Sequence, residues 1–347
     1  GYQKVETNAQ GRILKVLEKQ SSIPGKNLIL NLDARLQRTA MEAFDGRRGS
    51  LVAMDPKTGG VLAMVSSPSF DPNLFVNGIS YKDYNALRDS LDVPLFDRAT
   101  RGQYPPGSTM KPFIGLGFLE SGVTNWEEEI KDPGWYMLES DERVYRDWKR
   151  TGHGEHIHLR DAIIQSCDTY FYEMSFRTGI DNLHPFLAQF GFGQNTGLDI
   201  GNALPALLPD REWKKAYRGR SWYAGDTLNL ALGQGFMLAT PLQLATATSV
   251  YAARGEWHRA KLVQFIDGVA VQEENKPDNI VLKNPANWDE MDRAMEGVIT
   301  HYQGTARSLK RNLNYRMAAK TGTAQVVGIK QNEEYDSEAL LERQRDH

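Results

Sequence analysis

A serine and a lysine spaced three residues apart carry the first sign of chemistry in this sequence. Ser108 and Lys111 lie in the stretch "YPPGSTMKPF". Residues i and i+3 of a helix share a face, so a helix that begins near Ser108 places the hydroxyl beside the amine. A serine becomes a nucleophile when a neighbouring base takes its proton, and an unprotonated lysine is such a base.

Proline and glycine around the pair predict where that helix begins. Residues 105–107 disfavour a helix before Ser108, while Pro112 is tolerated only in a first turn. The next stretch, "FIGLGFL", is apolar throughout and predicts a buried helix. One match to Ser-x-x-Lys is nevertheless expected by chance in a chain of this length. From the spacing alone, Ser108 is better explained as a helix N-cap than as a nucleophile.

Two later motifs change that balance. Ser166-Cys167-Asp168 follows an apolar helical segment, and Lys320-Thr321-Gly322-Thr323 lies in a predicted strand. The ordered set S-x-x-K, S-D-N and K-T-G is typical of serine β-lactamases and penicillin-binding proteins. A second K-T-G, at 57–59, precedes the serine and lies in a predicted tight turn, so its lysine is expected to point to water.

The three motifs together supply the parts of a serine acyl-transfer site. A free lysine has a pKa near 10.4, so burial and a neighbouring cation, Lys320, are expected to lower the pKa of Lys111. Ser166 is expected to relay a proton between Lys111 and the leaving group. The alternative for Lys320 is an exposed lysine at the end of a strand.

The K-T-G segment is expected to bind the substrate. Lys320 and Thr321 would hold a substrate carboxylate, and Gly322 would let the substrate backbone approach the strand edge. The N–H groups of Ser108 and Thr323 would form an oxyanion hole.

The elements that must position these residues alternate between strands at the ends and helices in the middle. Near the N-terminus, we predict a hairpin within 1–26, a strand at 27–32, a helix from Asp33 to about Phe44, and a hairpin at 49–67. Residues 66–105 are predicted to be mostly loop. This layout indicates an α+β fold whose terminal strands join one sheet.

Apolar periodicity predicts a series of helices in the second half of the chain. They are followed by a strand at 315–329 and a highly charged tail over the last 18 residues. The predicted helices cover 159–165, 169–179, 183–193, 240–255 and 287–301.

Composition excludes several classes of function. The chain has 347 residues, 40% of them hydrophobic, and a net charge of −3, which argues against nucleic acid as a partner. Its single cysteine excludes an intrachain disulfide. No apolar run approaches the 18 residues of a membrane span and no signal-peptide pattern opens the chain, so the sequence given reads as a soluble piece whose anchor is absent.

A second cluster has the residue types of a zinc site. Cys167 lies inside the second motif, and Asp132, Asp147 and His153 lie upstream with two further histidines. Carboxylate, imidazole and thiolate suit tetrahedral Zn²⁺. A structural zinc would fix a segment that is poor in core signals, whereas the alternative is a buried free cysteine with solvated acids.

Longer stretches resemble the class B penicillin-binding proteins, from about residue 27 to the end of the sequence. They are "GSLVAMDPKTGGVLAMVSSPSFDPNLF", "RATRGQYPPGSTMKP", "GDTLNLALGQG" with "TPLQLA", and "AAKTGTAQV". "SFDPNLFVNGIS" and "DPGWY…YRDWKRTGHG" resemble the elongation-specific, rod-shape type within that family. The resemblance implies the penicillin-binding protein and serine β-lactamase-like fold, an antiparallel sheet flanked by helices. It also implies a remnant of a membrane-proximal pedestal or dimerisation module at 1–26 and a transpeptidase domain at 27–347, with two further sheet strands and a closing helix expected after the K-T-G strand.

The resemblance implies a D,D-transpeptidase that cross-links peptidoglycan stem peptides without a cofactor and is acylated by β-lactams. It makes Ser108 the nucleophile, Lys111 the base, Ser166 the relay and Lys320 with Thr323 the substrate anchors, and it favours the zinc site. The second motif ends in Asp168, where many relatives carry Asn, so a carboxylate is expected beside Lys111 and beside the substrate.

The resemblance also implies partners and a location. The partners are a membrane-embedded glycosyltransferase of the shape, elongation and division (SEDS) type and rod-complex scaffold proteins, on the periplasmic face of a bacterial inner membrane. A β-lactamase, a D,D-carboxypeptidase and a penicillin-sensing receptor use the same three motifs and stay open as alternatives.

Overall fold

The computed structural model describes residues 1–139, 142–273 and 275–324. Its N-terminal element is the predicted hairpin, formed by β1 (Tyr2–Thr7) and β2 (Ile13–Gln20) in antiparallel register. Nearly every side chain of the two strands is exposed. The hairpin therefore contributes little to the hydrophobic core, which lies further along the chain.

Strands near residue 30 pair with strands that come more than two hundred residues later. β3 (Leu28–Leu30) pairs antiparallel with β10 (Val263–Ile266), which continues into β11 (Val269–Ala270). Along the chain, the predicted hairpin of β4 (Gly49–Met54) and β5 (Val61–Ser67) comes between β3 and β10. Every second residue of β5 is buried, which is the pattern of a strand with one face on the core.

Helix α1 (Ala34–Phe44) confirms the expected N-cap. The carboxylate of Asp33 accepts hydrogen bonds from the backbone N–H groups of Arg35 and Leu36. Two short helices, α2 (Tyr81–Arg88) and α3 (Arg98–Arg101), interrupt the segment predicted to be mostly loop.

Helix α4 (Lys111–Ser121) is the centre of the core. It follows a 3₁₀ turn at Gly107–Met110, has Pro112 in its first turn and ends before Gly122, which has φ +72°. Its residues 111–118 are all buried. They pack against the helices α5 (Leu159–Ile164), α6 (Asp168–Thr178), α7 (Ile180–Ala188) and α11 (Ala286–Thr300).

The remaining elements include some that the sequence pattern did not predict. Helix α10 (Pro241–Ala252) was expected, but α8 (Arg211–Arg218) and α9 (Ala224–Ala231) were not. Two small antiparallel ladders also lie between α4 and α5. They pair β6 with β9 and β7 with β8, with bounds Ile130–Asp132, Trp135–Met137, Val144–Arg146 and Gly154–Ile157 for β6 to β9 in chain order.

The predicted strand at 315–329 is wrong for its described part. Residues 313–324 have no strand assignment, and residues 325–329 and the charged tail lie outside the described residues. A strand needs a ladder partner. Within the described segment, Ala319 N–H instead donates to Met295 O at the C-terminal part of α11, and Thr323 O accepts from a side chain.

The single sheet expected from the terminal strands is also not found in the described residues. The strands there form separate sheets of two or three strands. The β4–β5 hairpin is one such sheet, and β3, β10 and β11 form another. Across residues 1–139, 142–273 and 275–324, no helix has the length and apolar character needed to cross a bilayer.

Candidate active site

Ser108 lies in a tight turn that leads directly into the buried helix α4. The turn begins at Gly107, which has φ +60°, a conformation that glycine adopts without strain. Thr109 Oγ1 donates to Pro106 O at 2.5 Å and closes the turn. Ser108 is partly exposed, whereas the side chain of Lys111 is completely buried. In this pair the serine is therefore partly exposed, while the amine of the lysine lies in the interior.

Lys111 is surrounded by acceptors from the junction between α5 and α6. Its Nζ donates to Ser166 O at 2.9 Å and to Asp168 Oδ1 at 2.6 Å, and it lies 3.3 Å from Ser166 Oγ. The carboxylate expected beside Lys111 is therefore found there. Within the described residues, no hydrogen bond joins the Ser108 hydroxyl to Lys111 or Lys320.

Ser166 bridges the two lysines. Its hydroxyl is 2.9 Å from Lys320 Nζ and 3.3 Å from Lys111 Nζ, although the three residues are separated by 55 and 154 positions along the chain. Ser166 has φ +58°, a conformation that is unusual for a residue with a side chain. The structure thus places Lys111 and Lys320 on either side of the Ser166 hydroxyl, one residue from each motif.

Burial in this cluster lowers the pKa of Lys320 well below its ordinary value. Desolvation of the ammonium is the largest cause and the charge of Lys111 adds to it, while Asp168 acts in the opposite direction. The sequence predicts that Lys320 lowers the pKa of Lys111. What the structure shows is the effect in the other direction, since the charge of Lys111 helps to lower the pKa of Lys320.

The K-T-G-T segment packs directly on the turn that carries the serine. A Cβ on Gly322 would come within 2.6 Å of Thr109 Cγ2, and a Cβ on Gly107 would come within 2.5 Å of Thr323 O. Thr321 Oγ1 lies 2.8 Å from Thr305 Oγ1. The two segments touch through main-chain atoms, so glycine is required on both sides of the contact.

The backbone donors proposed for an oxyanion hole are free among the described residues. Neither Ser108 N–H nor Thr323 N–H has an acceptor within 1–139, 142–273 and 275–324. A Cβ on Gly107, the residue before Ser108, would lie 3.1 Å from Thr323 N. Both N–H groups thus belong to main chain at the same contact.

Trp148 is a neighbour of the site that the sequence analysis missed. Its indole Nε1 donates to Gln165 O at 3.2 Å and to Ser166 O at 3.1 Å, and its backbone N–H donates to Asp168 Oδ2 at 3.1 Å. The side chain remains 58% exposed. Its signal in the sequence was only its position directly after Asp147, one of the candidate metal ligands.

The four candidate metal ligands come together behind the serine–lysine cluster. One donor atom from each of Asp132, Asp147, His153 and Cys167 lies within 4.8 Å of the others, and all but His153 are buried by whole-residue exposure. Asp132 Oδ2 is 2.6 Å from His153 Nδ1 and 3.4 Å from Cys167 Sγ. The four donor atoms thus bring together three parts of the chain: β6, the segment between β8 and β9, and the start of α6.

Electrostatics within this cluster favour a cation. Burial and the charges of Asp147 and Asp132 raise the pKa of the Cys167 thiol well above its ordinary value. Burial and the charge of Asp168 likewise raise the pKa of Asp147. For Asp132, burial opposes ionisation, but hydrogen bonds led by the one from His153 hold its pKa below the ordinary value. His153 Nε2 is buried without a hydrogen-bond partner among the described residues. The donor set therefore fits Zn²⁺.

Comparison with known proteins decides the family. The profile described as "Penicillin binding protein transpeptidase domain" matches residues 49–341. The chain belongs to the penicillin-binding protein transpeptidase family. It is 45% identical over 350 residues to the peptidoglycan D,D-transpeptidase MrdA of Acinetobacter baumannii, covering all of this chain and 52% of that protein. The chain thus spans about half the length of the curated relatives it matches.

Solved structures agree with this family assignment and confirm the expected fold. Penicillin-binding protein 2 of Pseudomonas aeruginosa, in complex with WCK 5153, matches with a TM-score of 0.85 and 49% identity over 88% of this chain and 69% of that one. Penicillin-binding protein 2 of Helicobacter pylori, in its complex with MreC, matches with a TM-score of 0.78 and 35% identity over 93% of this chain and 59% of that one. The expected similarity to the elongation-specific type is therefore confirmed.

Proposed function

We propose that this chain is the catalytic domain of a peptidoglycan D,D-transpeptidase of the elongation-specific, rod-shape type. The observation that carries the proposal is the single cluster formed by Lys111, Ser166 and Lys320 at the base of the Ser108 turn. Its relatives named peptidoglycan D,D-transpeptidase support the same activity. The substrate is a stem peptide that ends in D-Ala-D-Ala, and no cofactor takes part in the reaction.

Ser108 acts as the nucleophile and Lys111 as its base. The Ser108 oxygen forms a bond to the penultimate D-Ala carbonyl carbon while Lys111 takes the hydroxyl proton. The carbon–nitrogen bond to the terminal D-Ala then breaks, and the leaving amine receives a proton relayed through Ser166. An amine of a neighbouring stem peptide attacks the acyl-enzyme, releases Ser108 and completes the cross-link. β-Lactams acylate the same oxygen when their ring amide opens.

The K-T-G-T segment holds the substrate. Lys320 and the Thr321 hydroxyl bind its terminal carboxylate, and the absence of a side chain at Gly322 leaves room for its backbone. The N–H groups of Ser108 and Thr323 stabilise the negative charge on the tetrahedral oxygen. Their lack of acceptors among the described residues supports this role. Asp168 was predicted to bind substrate, and this stays a prediction; its observed contacts are with Lys111 and with the backbone of Trp148.

The test is intact-mass spectrometry after incubation with penicillin, followed by peptide mapping. We expect one adduct per chain, on Ser108, and none on Ser108→Ala. A matched control is Ser121→Ala, because Ser121 is also a helical serine, and within the described part of the chain its hydroxyl bonds only to Phe118 O. An adduct that persists on Ser108→Ala would contradict the site assignment.

Further assays separate this activity from the alternatives. Transfer of an acyl group from a D-Ala-D-Ala peptide to an amine acceptor supports the transpeptidase. Hydrolysis of the same peptide without transfer indicates a D,D-carboxypeptidase, and fast turnover of nitrocefin indicates a β-lactamase. Stable acylation by penicillin with no peptide reaction indicates a penicillin-sensing receptor.

We also propose that Asp132, Asp147, His153 and Cys167 hold a structural Zn²⁺. Bound there, the ion would supply no catalysis; it would fix the ligand-bearing strands to the start of α6, next to Ser166. The unpartnered buried His153 Nε2 supports a ligand in the cluster. Protein purified without added metal should contain about one zinc per chain and lose thermal stability with a chelator. A metal-free preparation with a freely titratable Cys167 thiol would contradict this.

The domain boundaries, partners and location remain proposals. We infer that residues 1–26 belong to a membrane-proximal module and that residues 27–347 form the transpeptidase domain. The exposed apolar side chains of the hairpin support this division. The H. pylori complex with MreC supports a rod-complex scaffold as a partner, alongside a SEDS-type glycosyltransferase. From these partners we infer a location on the periplasmic face of an inner membrane.

A further inference from the structure

The turn that follows α9 contacts both sides of the candidate active site. Gly233 O accepts the backbone N–H of Gly107 at 3.0 Å, directly before the nucleophile. The next residue, Gln234, donates from its side-chain Nε2 to Thr323 O at 2.8 Å. One dipeptide of the "LGQG" stretch therefore holds the serine turn with its backbone and the K-T-G-T segment with its side chain.

The three segments pack so closely that a side chain at Gly107 or Gly233 would clash with the backbone of its neighbour. Gly233 has φ +65°, and a Cβ there would lie 2.2 Å from Gly107 O. A Cβ on Gly107 would in turn meet O, C and N of Thr323, all within 3.1 Å. The main chain of Thr323 thus lies flat against the serine turn, with its carbonyl fixed by the Gln234 amide.

The turn is itself anchored to a rigid support. Gln234 N–H and Leu232 N–H both donate to Asn229 O in the last turn of α9. At the other end of α9, Asp226 forms a buried ion pair with Lys214 of α8. The Lys214 ammonium also lies 5.8 Å from the ring centroid of Phe236, two residues after Gln234. Such a support can hold a hydrogen-bond donor in one position.

We propose that Gln234 is a positioning residue for acyl transfer. Its amide holds the Thr323 carbonyl, and through it keeps the Thr323 N–H facing the Ser108 turn, where negative charge develops on the substrate oxygen. The inference rests on the proposed function and extends it to a residue outside the three motifs. Because an oxyanion hole acts on the transition state, the loss of Gln234 should slow acylation rather than weaken binding.

The test compares acylation by penicillin in four proteins by stopped-flow kinetics. Gln234→Met keeps the length of the side chain and removes the donor, and Gln234→Glu places an acceptor opposite the Thr323 carbonyl. The control is Gln194→Met, because Gln194 Nε2 makes an equivalent bond, 2.8 Å long, to Ala188 O away from the site. The fourth protein is the wild type.

We expect the first-order acylation constant of Gln234→Met to fall about tenfold, with the pre-acylation binding constant within about twofold of wild type. Gln234→Glu should fall further. Gln194→Met should match wild type in both constants, and the two methionine variants should have similar melting temperatures. That split between the constants is the signature that a purely structural role would not give.

Two results would overturn the inference while leaving the proposed function intact. In the first, Gln234→Met acylates at the wild-type rate. In the second, its slower acylation is matched by a lower melting temperature and an equal loss of binding, so that damage to the fold explains it. A wild-type protein that forms no penicillin adduct would refute the proposed function, and this inference with it.

Discussion

The tripeptide Lys-Thr-Gly occurs twice in this chain, and the two copies differ in local structure, exposure and contacts. At 57–59 it forms the turn between β4 and β5, with Lys57 and Thr58 exposed. At 320–322 the lysine lies 2.9 Å from Ser166 Oγ and the glycine packs on Thr109. The exposure of Lys57 confirms the prediction from its place in a tight turn.

The comparison shows that the environment, rather than the tripeptide, makes a functional motif. The turn copy is stabilised locally, since Thr58 Oγ1 donates to Asp55 Oδ2 at 2.9 Å. In the other copy, Lys320 and Thr321 contact residues distant in sequence, Ser166 and Thr305, in addition to the local bond from Lys320 Nζ to Thr321 O. Matched substitutions in the two copies should therefore affect different properties, stability in the first and acylation in the second.

The lysines should show the largest contrast. Lys320→Ala is expected to slow penicillin acylation by at least about a hundredfold, because it removes the amine that is proposed to bind the substrate carboxylate and that contacts Ser166. Lys57→Ala should leave the rate unchanged. The measurement is the second-order acylation rate with fluorescent penicillin. Equal rates in the two variants would show that the 320–322 copy is not part of the site.

The glycines come next, because both are sterically required for different reasons. Gly59→Ala would place a Cβ 2.1 Å from Arg259 O at φ +72°, so it should lower the free energy of unfolding by about 2 kcal/mol or more. Its folded fraction should acylate normally. Gly322→Ala should slow acylation about tenfold or more by displacing the Thr109 turn, with a smaller loss of stability. Urea denaturation and acylation rates measured on both variants test this, and a reversed pattern would contradict it.

The threonines should differ by a smaller factor. Thr321→Val removes a hydroxyl proposed to bind the substrate carboxylate, so the pre-acylation binding of penicillin should weaken about three- to tenfold. Thr58→Val loses the bond to Asp55 and should cost about 1 kcal/mol of stability without changing acylation. Unchanged binding in Thr321→Val would remove Thr321 from the substrate site.

The smallest effect concerns the pH dependence of stability. Since the pKa of Lys320 is lowered in the folded state, the unfolded chain binds a proton that the folded chain has released, between that lowered pKa and about 10.4. This contribution makes the stability of the wild type rise with pH in that window. Lys320→Met should therefore show a flatter rise of stability within that window, as the pH approaches about 10.4, with Lys57→Met as the control for removing an exposed amine. Equal slopes for Lys320→Met and wild type in urea titrations would contradict the shift.

Local rules predicted the elements whose signals lie within a few residues. Asp33 caps α1, Pro112 marks the first turn of α4, and the turn residues between β4 and β5 form a hairpin, because each depends on its own backbone preferences. The order of three short motifs then predicted that Ser108, Lys111, Ser166 and Lys320 would meet.

Contacts between distant segments could not be read in the same way. Trp148 and Gln234 reach the site through single hydrogen bonds to backbone carbonyls, and no spacing rule indicates which carbonyl a side chain will find. The strand predicted for residues 315–329, of which residues 315–324 are described, followed β-propensity alone, whereas strand formation depends on a neighbouring strand to pair with. The very short strands β6 to β9 give too few residues for a period to appear.

The contact between Gly107 and Gly233 limits the substitutions that this chain can accept. Because the two backbones touch without intervening side chains, a side chain added at either glycine would displace Ser108, the proposed nucleophile, even when no ligand is bound. We therefore expect substitutions at Gly107 or Gly233 to displace Ser108 even when every other side chain of the site is unchanged.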